Sequence, residues 1–149
     1  MEIKIVTNDK KQFLDLLLLA DEQESMIDKY LERGTMFVLY DKDIAISICV
    51  VTKEIYGYEI KNMVTHPCFQ RKGYGGRLLS YVFDYYQKMC DVLFVGTGES
   101  ISTTSFYKNC GFVFSHKVKN FFVDHYDHKI FEDGIQLVDM IYFKKEFLK

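Results

Sequence analysis

The chain has 149 residues, 48% of them apolar and 27% charged, enough for one compact domain to bury a core and unlike the composition of a disordered chain. Nineteen basic side chains against twenty-one acidic ones give a net charge of -2, which supplies no field for holding a phosphate backbone and argues against a nucleic-acid partner. The longest aliphatic run, residues 16–20, is far shorter than the roughly 20 apolar residues that span a bilayer. The first eleven residues carry no signal-peptide pattern, so a soluble cytoplasmic protein without a membrane partner is expected.

In chain order, residues 2–7 alternate Ile3 and Ile5 with charged residues and predict a first strand. A helix is predicted over residues 11–20, and Asp21 with Glu24 three positions on reads as a capping box opening a second helix. Met26, Ile27, Tyr30 and Leu31 form its apolar stripe and Gly34 is placed to end it. Residues 36–40 and the alternating Ile44, Ile46, Ile48 and Val50 read as a hairpin turning at Asp41, Lys42 and Asp43. Residues 58–65 form a further strand that Pro67 terminates. Leu78, Leu79, Val82, Phe83 and Tyr86 share one face of a helix over residues 75–89. A short buried strand over 92–95, a helix over 101–109 ending before Gly111, a strand over 112–122 and a last strand over 138–145 complete the series. No linker or internal repeat divides the chain, so residues 1–149 are expected to be a single domain.

Cys49, Cys68, Cys90 and Cys110 are scattered without a CxxC pair, which fits reduced thiols and no metal site. The segment Gln70, Arg71, Lys72, Gly73, Tyr74, Gly75, Gly76 stands between a strand and an amphipathic helix. Glycines let the backbone approach a ligand, and the first amides of a helix favour an anion such as a pyrophosphate. The spacing satisfies neither the P-loop nor the dinucleotide fingerprint. The alternative is a helix start whose basic neighbours serve only solubility.

This segment resembles the coenzyme A loop of the GNAT superfamily of N-acetyltransferases, Gln/Arg-x-x-Gly-x-Gly/Ala, with Gln70, Gly73 and Gly75 in place. Ser105 to Phe112 resembles the family's Leu-Tyr-x-x-x-Gly-Phe ending of a later helix, and the order of elements agrees along nearly the whole chain. The resemblance implies an α/β (α+β) fold: a mixed, mostly antiparallel sheet of about seven strands with about four helices, splayed between strands 4 and 5. It implies acetyl-CoA as cosubstrate, held by the backbone of Met63, Val64 and Thr65 and by the amides from Arg71 to Gly76. Lys72 and Arg77 are candidate charges near the phosphates, and Asn62 and Ser100 to Thr104, Ser102 among them, candidate contacts to the pantetheine or the acceptor. Many relatives have an asparagine at the start of the short helix, where this chain has Glu99, Ser100 and Ser102.

An alkyl amine with a pKa of about 10 must lose a proton before attacking a thioester. Glu59, placed like the glutamate base of the histone-acetylating branch, is the candidate base, and its other reading is a solvated charge. Tyr107 matches the tyrosine that protonates the departing thiolate, and its other reading is a core aromatic beside Phe106. Tyr107 also counts as a cofactor contact. Residues 120–128, with Glu132 and Asp133, form an aromatic, acidic and histidine-bearing stretch that either selects a cationic acceptor or covers a sheet edge or a homodimer partner. Tyr126, Ile130, Glu132 and Gly134 resemble a segment of a bacterial subgroup of uncharacterised acetyltransferases. The expected reaction is acetyl transfer to a primary amine of a small molecule or peptide by direct attack in a ternary complex. A catalytically silent acyl-CoA sensor or an interaction module is the alternative.

Overall fold

The computed structural model describes residues 1–148, which form two compact units, residues 1–90 and the chain from Asp91 onward. In the first unit the order is β1 (Glu2–Val6), a 3-10 turn (Lys10–Phe13), α1 (Leu14–Ala20), α2 (Glu24–Ile27), β2 (Thr35–Asp41), β3 (Ile44–Glu54), β4 (Gly57–Thr65), a second 3-10 turn (Pro67–Phe69) and α3 (Tyr74–Tyr86). The four strands pair in sequence order and all antiparallel, Ile3 opposite Leu39, Val38 opposite Ile48 and Ile48 opposite Val64.

Strand alternation sends neighbouring side chains of β2 to opposite faces of this sheet. Met36 and Val38 join Leu17, Ile27 and Leu31 in a buried cluster under α1 and α2. Phe37, between them, packs edge-to-face on Tyr85 and Tyr86 of α3, with ring centroids 5.1 Å and 5.9 Å apart. Leu78, Leu79, Val82 and Tyr86 are the buried stripe of α3, as their helical spacing predicts.

The register slips between Val50 and Val51, where Val50 pairs with Asn62 but Val51 with Ile60. Such a bulge turns the alternation of one strand. Tyr58 lies against Tyr86 of α3, ring centroids 4.9 Å apart, while Asn62, four residues on, reaches the carbonyl of Leu17 in α1. Without the bulge the two side chains would share a face.

The helix expected over residues 11–20 is a 3-10 turn leading into α1. The capping box does not form: Gln23 occupies the N-cap of α2 without a side-chain bond, and α2 is a single turn. Asp21 is engaged elsewhere, its N–H closing α1 onto the Leu17 carbonyl and its carboxylate accepting from Tyr30 Oη at 3.0 Å. Gly34 ends no helix directly. A Cβ there would lie 2.7 Å from Val50 Cγ1 and 2.9 Å from the Tyr30 carbonyl, so glycine permits a close backbone approach. The orphan carbonyls of this turn are satisfied by Lys10, 5% exposed, whose Nζ donates to Leu31 O, Glu32 O and Gly34 O at 2.9, 3.1 and 2.6 Å.

The second unit contains β5 (Val92–Thr97), α4 (Ile101–Asn109), β6 (Val113–Val118), α5 (Phe121–His125), β7 (Phe131–Glu132), β8 (Ile135–Gln136) and β9 (Met140–Glu146). β9 lies between β5 and β6 and is antiparallel to both. The strand expected over residues 112–122 stops at Val118. Asn120 takes a left-handed φ of 57° and its N–H donates to Asp139 Oδ1 at 2.8 Å, which turns the chain into α5 and buries Phe122 with Ile130 and Leu137. Residues 131–136, not foreseen as regular structure, form a two-strand hairpin whose turn residues Asp133 and Gly134 have φ of 53° and 78°, the left-handed pair a tight hairpin turn requires.

Candidate active site

β4 leads straight to the glycine loop. The Val64 carbonyl accepts from Ser47 Oγ at 2.9 Å, and Gln70 Nε2 returns to the Thr65 carbonyl at 3.0 Å, fastening the loop to the strand end. Met63 pairs with Cys49 in the same ladder. Beyond Gln70 the backbone takes left-handed φ at Arg71 (63°) and Gly73 (85°). A left-handed conformation costs a residue with a Cβ about 1 kcal/mol or more, so Arg71 marks a loop shape held by its surroundings.

Gly73 is the N-cap of α3 and offers no side chain to it, the first turn holds no carboxylate, and the first intrahelical bond runs from Arg77 N–H to Gly73 O at 3.0 Å. The amides of Tyr74, Gly75 and Gly76 therefore precede the ladder, at the positive end of the helix dipole. Arg71, Lys72 and Arg77 are exposed around them, and the Lys72 ammonium lies 6.0 Å from the Phe69 ring centroid. Such an arrangement of bare amides and exposed cations has the chemistry to take an anion such as a phosphate or pyrophosphate.

Glu59 is 3% exposed on β4, opposite Thr52. Its carboxylate meets Lys61 Nζ at 3.1 Å and accepts from Tyr56 Oη; a solvated surface charge it is not. Three residues on, Asn62 Nδ2 donates to Leu17 O at 3.1 Å and to Tyr30 Oη at 3.0 Å, and Tyr30 in turn donates to Asp21. Burial, and then the Asp21 charge, push the Tyr30 phenol far above its usual range, so it stays a neutral donor at any working pH. Asn62 Oδ1 is buried and has no hydrogen-bond partner among the described residues. Asn62 stood out in the sequence as a candidate contact, but Tyr30 as its partner and Asp21 as the partner of Tyr30 did not, since separations of 32 and 9 residues carry no periodic signal.

In the second unit, Tyr107 is 6% exposed on α4, edge-to-face with Phe106 at 5.2 Å and with Phe112 at 5.4 Å. At the start of α4, Ser100 is the N-cap and fully buried. Ser102 Oγ donates to Asp133 Oδ2 at 2.7 Å, so the hydroxyl proposed for a ligand is engaged with the hairpin. His125 stacks on Phe121 at 4.4 Å and His128 faces Asp127. Among the described residues, no three His, Cys, Asp or Glu side chains come together as a metal site, and no helix is long and apolar enough to cross a membrane.

Antiparallel strands flanked by helices, with a bare, glycine-rich helix start after β4, are the architecture of an acyltransferase domain. The chain belongs to the GNAT acetyltransferase family: the model of the acetyltransferase (GNAT) domain matches residues 32–114. It is 37% identical over 144 residues, 95% of this chain and 92% of the relative, to the uncharacterised N-acetyltransferase YvbK of Bacillus subtilis strain 168. A GNAT family acetyltransferase from Elizabethkingia anophelis, solved with acetyl-CoA bound, is 34% identical with a TM-score of 0.90 over 98% of this chain and 97% of that one. A Bacillus subtilis acetyltransferase solved in complex with CoA is likewise 34% identical, with a TM-score of 0.90 over 99% of each chain. The fold class is therefore the one expected from the sequence, a mixed α/β GNAT fold with a mostly antiparallel sheet, and the chain is an N-acetyltransferase by family.

Proposed function

We propose that this protein transfers the acetyl group of acetyl-CoA to a primary amine of a small molecule or peptide, by direct attack of the amine in a ternary complex. The observation that carries this reading is the bare start of α3, with Tyr74, Gly75 and Gly76 amides ahead of the ladder and Gly73 left-handed before them. Those amides, with Arg71 and Lys72 beside them, bind the pyrophosphate of acetyl-CoA, and the end of β4 at Met63, Val64 and Thr65 aligns the pantetheine arm. Relatives of more than 30% identity solved with acetyl-CoA and CoA support the choice of cosubstrate.

Glu59 takes the proton of the incoming ammonium, directly or through a water, its carboxylate already oriented by Lys61 and Tyr56. Tyr107 gives its phenolic proton to the thiolate of CoA as the tetrahedral adduct collapses, and Ser102, whose hydroxyl proton goes to Asp133, accepts from a pantetheine amide with the same oxygen. Four cysteines that form no disulfide among the described residues suit a reducing compartment and support work in the bacterial cytoplasm, with residues 1–149 acting as one domain. The test is a panel of primary amines with acetyl-CoA, following thiol release. Turnover with one class of amine supports the reading; saturable acetyl-CoA binding without thiol release for any amine would replace it with that of a sensor.

A further inference from the structure

α4 opens with Ser100, Ser102, Thr103 and Thr104 and has no carboxylate of its own in the first turn. Short hydroxyl side chains compete with the backbone for hydrogen bonds, so a nine-residue helix with four of them among its first five residues holds weakly by itself. The missing carboxylates come from the hairpin 31 residues beyond Ser102. Asp133 Oδ2 accepts from Ser100 Oγ and Ser102 Oγ, both at 2.7 Å, and from the Ser102 N–H at 3.4 Å. Glu132 Oε1 accepts from Thr103 Oγ1 at 2.5 Å. Two negative charges thus stand at the positive end of α4. The left-handed pair Asp133 and Gly134 fixes the turn that presents them. At its other end α4 is held by the Tyr107 ring against Phe112 and by the Phe112 N–H on the Tyr107 carbonyl at 3.0 Å.

We propose that Asp133, assisted by Glu132, is a positioning residue for catalysis: it pins the start of α4 from the hairpin and so fixes the direction in which that helix presents Tyr107. The proposal rests on Tyr107 acting as the acid. A nine-residue helix pinned only at its aromatic end pivots about it, and a general acid loses rate as soon as its proton leaves hydrogen-bond reach.

The experiment uses the whole chain with acetyl-CoA and n-butylamine as probe acceptor. Asp133→Ala should lower kcat at least tenfold, leave the Kd for CoA within twofold, and raise amide exchange over residues 101–107 at least tenfold. Asp133→Glu, which keeps the charge, should restore most of both losses. Because Asp133 acts through Tyr107, the double variant Asp133→Ala/Tyr107→Phe should be no slower than Tyr107→Phe alone. Unchanged exchange over α4 in Asp133→Ala, or additive losses in the double variant, would overturn the positioning role. Full activity in Tyr107→Phe alone would overturn the acid role of Tyr107 instead, a result read without any Asp133 variant.

Discussion

Replacing Gly73 with valine separates the loop's contribution to folding from its contribution to the ligand. A Cβ built on Gly73 meets nothing within 4 Å, yet φ there is +85°, so the cost in the free protein is conformational and not steric. That cost is about 1–2 kcal/mol, and at about 2–4 °C per kcal/mol for a chain of this size it lowers Tm by roughly 2–8 °C. Acetyl-CoA at about 100 times its Kd stabilises the folded state by about 2.7 kcal/mol. If the valine weakens binding about 100-fold by displacing the phosphate and distorting the amides, the same concentration gives only about 0.4 kcal/mol. Differential scanning fluorimetry with and without acetyl-CoA should therefore show a modestly lower free Tm and a nearly vanished ligand shift. Gly76→Ala is the control on the backbone cost: its Cβ also meets open space but φ is not left-handed, so helix propensity should raise the free Tm slightly. A Gly73→Val protein that keeps the full ligand shift would refute the assignment of the pyrophosphate to these amides.

Tyr107→Phe keeps the rings packed against Phe106 and Phe112, so it should retain the acetyl-CoA shift and lose about 100-fold or more in kcat; a loss below about threefold in steady-state thiol release would remove Tyr107 from the chemistry. Glu59→Gln should slow turnover by a similar factor while leaving CoA affinity nearly unchanged in calorimetry, since its part is with the amine. Lys10→Met strips the cation from three carbonyls and should destabilise the protein by about 1–3 kcal/mol in urea denaturation without altering the ligand shift. Hydrogen bonds from Ser102 and then Ser100 hold the Asp133 carboxyl below its usual range. A lowered folded pKa means stability present above the unfolded value of about 3.9 and lost as pH falls through the folded one. The urea midpoints of wild type and Asp133→Asn should accordingly differ from neutral pH down to about pH 4 and converge in stronger acid.

Local chemistry with a fixed spacing was legible in the sequence. Gln70, Gly73 and Gly75 carry their meaning within six residues, because a left-handed glycine at an N-cap and a bare first turn are decided by the backbone itself, and the stripe from Leu78 to Tyr86 is set by helical period alone. The bounds of α4 were readable for the same reason, with Gly111 beyond its end, whereas Ser100 as its cap is seen only in the structure. What depended on distant partners was not. Asp21 and Glu24 have the spacing of a capping box, but Tyr30 and the close of α1 claim Asp21 first. Phe121 and Phe122 continue a strand-like pattern, yet Asn120 turns the chain once Asp139, nineteen residues away, takes its amide. Asp133 was legible only as an acid of an aromatic, acidic stretch, and the tertiary structure makes it the turn of a hairpin and sets that turn on Ser100 and Ser102. Glu59 looked like a charge near a strand's start. In the folded ladder it lies buried opposite Thr52 and paired with Lys61, which sits at the bulge where Val51 meets Ile60 and Val50 meets Asn62, a setting that only the neighbouring strand supplies.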